Sequence, residues 1–146
     1  MFDFNEETGR LTISATINNA YKLKKENEAG TVTVKNTINF TPDDTKKFFS
    51  TVEPVFKETG KKFTPSWFKK KEAVILKSLY DIAVLDTEDE KHTFDEWRDV
   101  GKIKGAKANI RMTLKKDDDG EYSGVIYPDC IHILEDGEEY NQFEGM

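Results

Sequence analysis

The sequence holds few of the residues on which covalent or metal chemistry depends. Cys130 is the single cysteine among 146 residues, which excludes a disulfide within the chain and the clustered thiolates of a structural zinc site. The two histidines, His92 and His132, are far apart and lack the spacing of metal ligands. A glycine-rich loop that could cradle phosphates is also missing. We therefore expect no metal and no cofactor.

Long apolar runs are missing as well. No segment approaches the ~20 apolar residues that a membrane helix needs, and the opening residues MFDFNEETGR lack the basic start and apolar run of a secretory signal. A chain of 146 residues has the size of one domain and can bury a core without disulfides or metals. We expect a cytoplasmic protein with no membrane partner.

Two patterns that would suit an enzyme have simpler explanations. Cys130 and His132 share one face of a predicted strand, but the large apolar residues around Cys130 indicate a packed thiol. Pro42-Asp43 followed by Asp89-Glu90-Lys91 matches a loose pattern of metal-dependent nucleases, yet Asp43 fits the start of a helix and Asp89 a charged loop. We expect that the protein is not an enzyme.

Charge is unevenly distributed along the chain, whose net charge is −6. Residues 135–146 contain five acids and no Lys or Arg, so that residues 1–134 have a net charge of only −1. Asp81–Asp99 holds eight acids against two cations, whereas Gly101–Lys116 holds six cations and no acid. The basic zone suits a nucleic-acid partner, and the acidic zone suits a basic protein.

Hydrophobic periodicity predicts a mainly β fold. Alternating apolar residues indicate strands over Leu11–Ile17, Thr31–Phe40, Ala73–Leu85 (one or two), Ala106–Lys115 and Glu121–Leu134. The residues between the first two strands, Asn18–Gly30, are interpreted as a strand end and an exposed turn. This pattern favours an α+β protein: an OB-fold-like, antiparallel, five-stranded β-barrel with one or two helices and long loops.

Two segments carry helix signals, and one is interpreted as a loop. Thr41 is positioned to cap a helix that begins at Pro42, with a break or kink at Pro54 and an end at Gly60. Thr93-Phe-Asp-Glu has the form of a capping box that opens a short helix or turn. Lys61–Lys71 is predicted to be a loop. We assign residues 1–134 to the folded domain and 135–146 to a flexible acidic tail.

Cations on one predicted strand form the first candidate site. Lys107, Arg111 and Lys115 alternate with the apolar face of Ala106–Lys115 and are expected to lie at phosphate spacing along an exposed surface. Lys102 and Lys104 precede them in the same basic zone. An ordinary solvated sheet face is the alternative interpretation of these residues.

Aromatic residues beside lysines form the second candidate site. Bases stack on aromatic rings for about 1–3 kcal/mol each, while lysines neutralise phosphates. Because adjacent residues of an extended loop point apart, we expect one of Trp67 and Phe68 to face solvent and the other to anchor the loop. The candidate residues are Trp67, Phe68, Lys69, Lys70, Lys71 and Tyr80, with Phe63, Trp97, Tyr122 and Tyr127 as further aromatic candidates.

The order of these segments resembles that of bacteriophage single-stranded DNA-binding proteins with an OB-fold. The resemblance runs through TPDDTKKF, LKSLYDI, GAKANIRMTLK, GVIYPDCIHIL and the acidic tail. It implies sequence-nonspecific binding that protects single-stranded DNA during replication and recombination in the cytoplasm of a bacterial host. It also implies a tail that recruits replication or recombination proteins through Glu138, Glu139, Tyr140 and Phe143. This tail ends in Gly145-Met146 rather than in an acid followed by an aromatic residue.

A second hypothesis comes from the acidic zone. A protein–protein interaction module, such as a phage-encoded modulator of a host factor, would present Asp81–Asp99 to a basic partner. The sequence leaves open whether the protein is a monomer or a homodimer.

Overall fold

The computed structural model describes residues 1–57 and 64–138. The strands are β1 (Phe2–Asn5), β2 (Arg10–Glu26), β3 (Val32–Pro42), β4 (Val74–Ser78), β5 (Ala83–Leu85), β6 (Lys91–His92), β7 (Lys107–Lys116) and β8 (Tyr122–Glu135). The helices are α1 (Thr45–Lys57), α2 (Ser66–Lys70) and α3 (Phe94–Val100). None of these described helices is long and apolar enough to cross a membrane.

All eight described strands belong to one sheet. Its order is β4-β3-β2-β7-β8-β5-β6, with β1 beside β2. Every pair is antiparallel except β5 and β8, which are parallel. The end strands β4 and β6 do not pair, so the sheet is open. The prediction of a mainly β fold is confirmed, but a closed barrel of five strands is wrong, because β1, β5 and β6 are too short to show alternation in the sequence.

The centre of the core lies on one face of β2, β7 and β8. Ile13 pairs with Ile110 and Ile110 with Ile131, and all three side chains are fully buried or nearly so. The predicted alternation over Ala106–Lys115 is confirmed, since the residues of its apolar face are all buried: Ala106, Ala108, Ile110, Met112 and Leu114. The cations of β7 consequently lie on the outer face of the sheet.

Helix α1 begins later than the sequence predicts. Thr41 and Pro42 belong to β3, where Pro42 pairs with Ala15 at the strand end. The side chain of Asp44, not of Thr41, accepts the free amide of Lys47 at 3.0 Å. Pro54 does not end the helix, which continues to Lys57. The predicted end at Gly60 lies outside the described residues.

The β2–β3 hairpin is longer than predicted. Lys22–Glu26 continues β2 and pairs with Val32–Asn36 instead of forming a turn. Charged residues are compatible with a strand here because pairing satisfies the backbone while the long side chains remain partly or fully exposed. The turn itself comprises only a few residues, closed by the side chain of Asn27, which accepts the amides of Ala29 and Thr31.

Three other local predictions can be compared with the structure. The capping box is confirmed: Thr93 Oγ1 accepts the amide of Glu96, and Glu96 accepts the amide of Thr93. Two strands, β4 and β5, do fall within Ala73–Leu85. The prediction of a loop throughout Lys61–Lys71 is wrong in its described part, because Ser66–Lys70 forms α2.

Gly9 and Gly120 provide a matched test of packing against the sheet. Both have positive φ, +75° and +81°, but a Cβ on Gly9 would lie 2.4 Å from the carbonyl oxygen of Leu114, whereas one on Gly120 would meet nothing within 4 Å. We expect Gly120→Ala to cost about 1–2 kcal/mol for its backbone conformation and Gly9→Ala clearly more, because β7 must also move. Urea unfolding of both variants measures their loss in free energy of unfolding. Equal losses would contradict the close approach of Gly9 to the Leu114 carbonyl.

Candidate nucleic-acid interface

The two aromatic residues of the predicted binding loop are part of the core. Trp67 and Phe68 are 9% and 8% exposed. The ring of Trp67 lies 5.6 Å from that of Phe56, and the ring of Phe68 lies 4.8 Å from the same ring. The expectation that one ring would face solvent is wrong, because a helix places both rings against α1. Neither ring presents an open face for a base.

Docking of α2 nevertheless builds one wall of a groove. The groove has a volume of about 440 Å³ and lies between α1, α2, β3, β4 and the first half of β8. Its lining includes the aromatic Trp67 and the aliphatic Ile75 and Val125. Val125 is 42% exposed, although it is apolar and lies on a strand of the sheet. The groove therefore offers apolar surface that solvent can reach.

Two lysines give this groove a positive charge. Lys77 pairs with Thr37, and Lys35 lies two residues from Thr37 on the same outer face. Such diagonal neighbours are about 7–8 Å apart. Among the described residues neither lysine has an ion pair or a side-chain hydrogen bond. Both ammonium groups are thus available to an anionic ligand.

The strands β3 and β4, which follow β2 both along the chain and across the sheet, line the groove. In an OB-fold, the outer face of the second and third strands and the adjoining hairpin loops bind oligonucleotides. Lys35, Lys77, Ile75 and Val125 were not among the sequence candidates. The proximity of Lys35 to Lys77 depends on the β3–β4 pairing, which the sequence alone does not give.

The predicted cationic row of β7 lies on the outer face but is widely spaced. Lys107, Arg111 and Lys115 are all exposed. Four residues separate each pair, which is about 13 Å at strand rise, so the expected match to successive phosphates is wrong. The ammonium of Lys107 donates to Thr16 Oγ1 at 2.7 Å. Lys115 adjoins the groove, since its carbonyl accepts the hydroxyl of Ser123, one residue before the β8 wall.

Lys102 and Lys104 lie beside the start of the acidic segment. Their carbonyls accept the amides of Gly137 and Glu138 at 3.0 and 2.8 Å. The first acids after β8 therefore lie close to this basic loop, which reduces its local positive charge. Of the predicted partner-binding residues, only Glu138 is described, and it is exposed; Glu139, Tyr140 and Phe143 lie outside the described residues.

The remaining candidates differ in exposure. Lys69, Lys70 and Lys71 are exposed at the end of α2, and the ammonium of Lys71 is 5.9 Å from the ring of Phe68. Tyr80 is 81% exposed, and its carbonyl accepts the side chain of Asn36 at 3.0 Å. Of the further aromatics, Trp97 is buried, Tyr122 lies under Lys116, Tyr127 is half-buried and Phe63 lies outside the described residues.

The acidic zone is partly neutralised within the chain. Lys22 binds Asp95 at 2.7 Å, and Arg98 lies within 4 Å of both Asp95 and Asp99. Such pairing leaves less negative charge for a basic partner than the sequence indicates. This zone remains a polar surface with several exposed carboxylates.

Asp86, Glu90 and His92 form a cluster that sequence reasoning missed. One ligand atom of each lies within 4.8 Å of the others, an arrangement that suits a metal ion. The Asp86 carboxylate is already engaged: Oδ2 lies 2.7 Å from His92 Nε2, and Oδ1 accepts the amides of Glu88 and Glu90. The cluster therefore stabilises its own turn. Its only sequence signal is the density of acids between two short strands.

Cys130 and His132 do share a face, as predicted, but it is the outer one. Cys130 is half-buried rather than packed in the core. The ring of His132 is engaged elsewhere, 2.8 Å from the carboxylate of Asp89. These positions give no nucleophile-and-base pair for catalysis.

Comparisons with known proteins agree with the fold. No protein-family model matches the sequence, and no characterised protein is significantly similar to it in sequence. Solved structures are similar: the single-stranded DNA-binding protein from bacteriophage Enc34 has 15% identity and a TM-score of 0.58 over 99% of this chain and 93% of that chain. Its complex with ssDNA has 15% identity and a TM-score of 0.59 over 95% and 96%. Its C-terminal truncation has 14% identity and a TM-score of 0.57 over 94% and 95%. The predicted resemblance is confirmed for the fold.

The His92–Asp86 pair generates a pH prediction. The hydrogen bond that the His92 ring donates to the Asp86 carboxylate raises the pKa of His92 above its ordinary value of 6.5, and the same bond lowers the pKa of Asp86 below 3.8. The pair therefore stabilises the fold fully between these ordinary values. This contribution disappears as pH rises through the folded pKa of His92 or falls through that of Asp86. An NMR titration should find the raised His92 pKa, and Asp86→Asn should lower it; an unchanged value in the variant would contradict the assignment.

Proposed function

We propose that the protein binds single-stranded DNA without sequence preference, in the groove between β3, β4, α2 and β8. One observation carries the proposal: on the face that OB-folds use for oligonucleotides, exposed apolar surface lies beside two unpaired lysines. The similarity in fold to the Enc34 protein, which has been solved in complex with ssDNA, supports the same function.

The groove has the two kinds of surface that a single strand requires. Lys35 and Lys77 would neutralise phosphates and release counterions, a contribution that depends on salt and not on sequence. Ile75, Val125 and Trp67 would contact the flat faces of bases, which every base offers. Lys115, at the rim, would hold the backbone where it leaves the groove. Duplex DNA has no exposed base faces and would gain only the phosphate contacts.

We infer a protective role in replication and recombination, with no covalent chemistry. Binding without sequence preference would allow the protein to cover any stretch of single-stranded DNA, and a protective role requires this property. We retain the division into a binding domain, residues 1–134, and an acidic tail that recruits other replication or recombination proteins. Of the tail residues predicted to bind these partners, Glu138 is the one that the structure describes. The protein–protein module that uses Asp81–Asp99 is not favoured, since Lys22 and Arg98 already pair with acids there.

Charge reversal in the groove tests the site. Lys35→Glu with Lys77→Glu should weaken binding of a single-stranded dT oligonucleotide about 10- to 100-fold, because two phosphate contacts become repulsive. The dependence of log K on log salt should become shallower by about 1.4, which corresponds to two contacts on a single strand. Fluorescence anisotropy at several salt concentrations measures both quantities.

The matched control reverses the same amount of charge elsewhere. Lys46 and Lys91 are exposed and do not line the groove, so Lys46→Glu with Lys91→Glu should have a much smaller effect. Equal losses in the two double variants would mean that net charge, not the groove, determines affinity. No binding by the parent protein at low salt would overturn the function itself.

Tyr80 tests the contribution of stacking separately. It is the most exposed aromatic side chain of the described residues, and hydrogen bonds at its backbone fix its loop: its carbonyl accepts Asn36 and its amide binds Ser78 Oγ. If a base stacks on the ring, Tyr80→Ala should cost about 1–3 kcal/mol in binding, while Tyr80→Phe should retain most of the affinity. Isothermal titration calorimetry with oligo-dT distinguishes these outcomes; equal affinities for all three proteins would exclude a stacking role.

A further inference from the structure

A second depression lies on the outer face of the sheet, separate from the groove. It has a volume of about 230 Å³ and is lined by Met1, Thr12, Asn109, Arg111, Cys130 and His132. Strand pairing assembles it: Arg111 lies between Thr12 and Cys130, and Asn109 lies between Ser14 and His132. We refer to it as the sheet-face pocket.

Hydrogen-bond donors of the pocket remain unused within the described residues. The Arg111 guanidinium has no ion pair and no hydrogen bond there, although it carries five N–H groups in a fixed fork. Asn109 accepts the Ser14 hydroxyl at its Oδ1 (2.8 Å), which leaves its NH₂ group free to donate. The Thr12 hydroxyl is a third donor without a partner. A guanidinium flanked by an amide and a hydroxyl is a typical arrangement for a phosphate group.

No acid is a direct strand neighbour of Arg111, since Thr12 and Cys130 are both uncharged. The exposed Asp3 pairs with Thr12 and is therefore one strand further from Arg111. Asp129 is engaged by the Thr113 hydroxyl at 2.5 Å, and Asp89 by His132 at 2.8 Å. Arg111 therefore retains its positive charge in a polar depression, a combination that favours an anion.

The pocket is also aligned with one end of the groove. Lys115 adjoins the β8 wall of the groove, and Arg111 is the next outward-facing cation along β7, about 13 Å away at strand rise. We propose that the sheet-face pocket binds a backbone phosphate of the strand that leaves the groove, so that a long strand follows β7 around the sheet. This proposal rests on the proposed function and extends it to a second, separable contact.

Cys130 provides a direct test because it lines the pocket and is the only thiol of the chain. The experiment measures the rate of Cys130 alkylation by iodoacetamide, by mass spectrometry, in the full chain saturated with oligo-dT. A strand of about 30 nucleotides should slow alkylation several-fold, whereas one of about 8 nucleotides, within the range of a single OB site, should fill only the groove and leave the rate nearly unchanged.

Variants make the test specific for phosphate. Arg111→Gln should remove the protection and weaken binding of the longer strand about tenfold more than that of the shorter one. Lys46→Gln removes the same charge from an exposed position on α1, away from β7 and outside the pocket, and should retain the protection. Circular dichroism verifies that both variants fold.

The outcomes separate this proposal from the one on which it rests. Unchanged alkylation with the longer strand, while both strands bind and the groove variant weakens them, would overturn the sheet-face pocket alone. Inorganic phosphate is tested at the same total concentration of phosphate groups as the longer strand. If it protects Cys130 from alkylation and the longer strand does not, the proposed strand path is overturned and the pocket binds only small anions. Loss of binding for every strand would instead count against the proposed function.

Discussion

Ile13, Ile110 and Ile131 lie side by side across β2, β7 and β8, and the surfaces described above depend on the register that they fix. A slip of one residue along any of these strands would turn a buried isoleucine outward and bury a polar neighbour, at a cost of several kcal/mol. Because side chains alternate, this register also decides which residues face solvent. Arg111 is exposed for the same reason that Ile110 is buried.

The sequence predicts well the features that depend on nearby residues. The two faces of β7 and the capping box at Thr93 each follow from a few consecutive side chains. The sequence predicts poorly the features that depend on contacts between residues far apart in the chain. Trp67 and Phe68 are buried because α1 supplies Phe56, and no local pattern distinguishes such a helix from a loop rich in aromatics and lysines. The groove residues Lys35, Ile75, Lys77 and Val125 were missed because their proximity depends on such distant contacts.

The groove illustrates the same limit for function. Lys35 and Lys77 are separated by more than forty residues, and only the β3–β4 pairing makes them neighbours. Net charge gives no indication of such a pair, because a chain at −6 still has local regions without acids. A bound single strand would contact these local regions, so their charge would affect binding more than the net charge of the chain. A net negative charge is therefore compatible with the proposed binding of a polyanion.

The position of β4 at the end of the open sheet has a consequence for solubility. An edge strand exposes unpaired amides and carbonyls, and its apolar sequence, Val-Ile-Leu, would favour pairing with another molecule. Lys77 interrupts that apolar run with an outward charge, a common protection against edge-to-edge association. If Lys77 also contacts DNA as proposed, the same lysine would have two roles that differ in the charge they require. Protection against aggregation needs a charge of either sign, whereas contact with a polyanion needs a positive one.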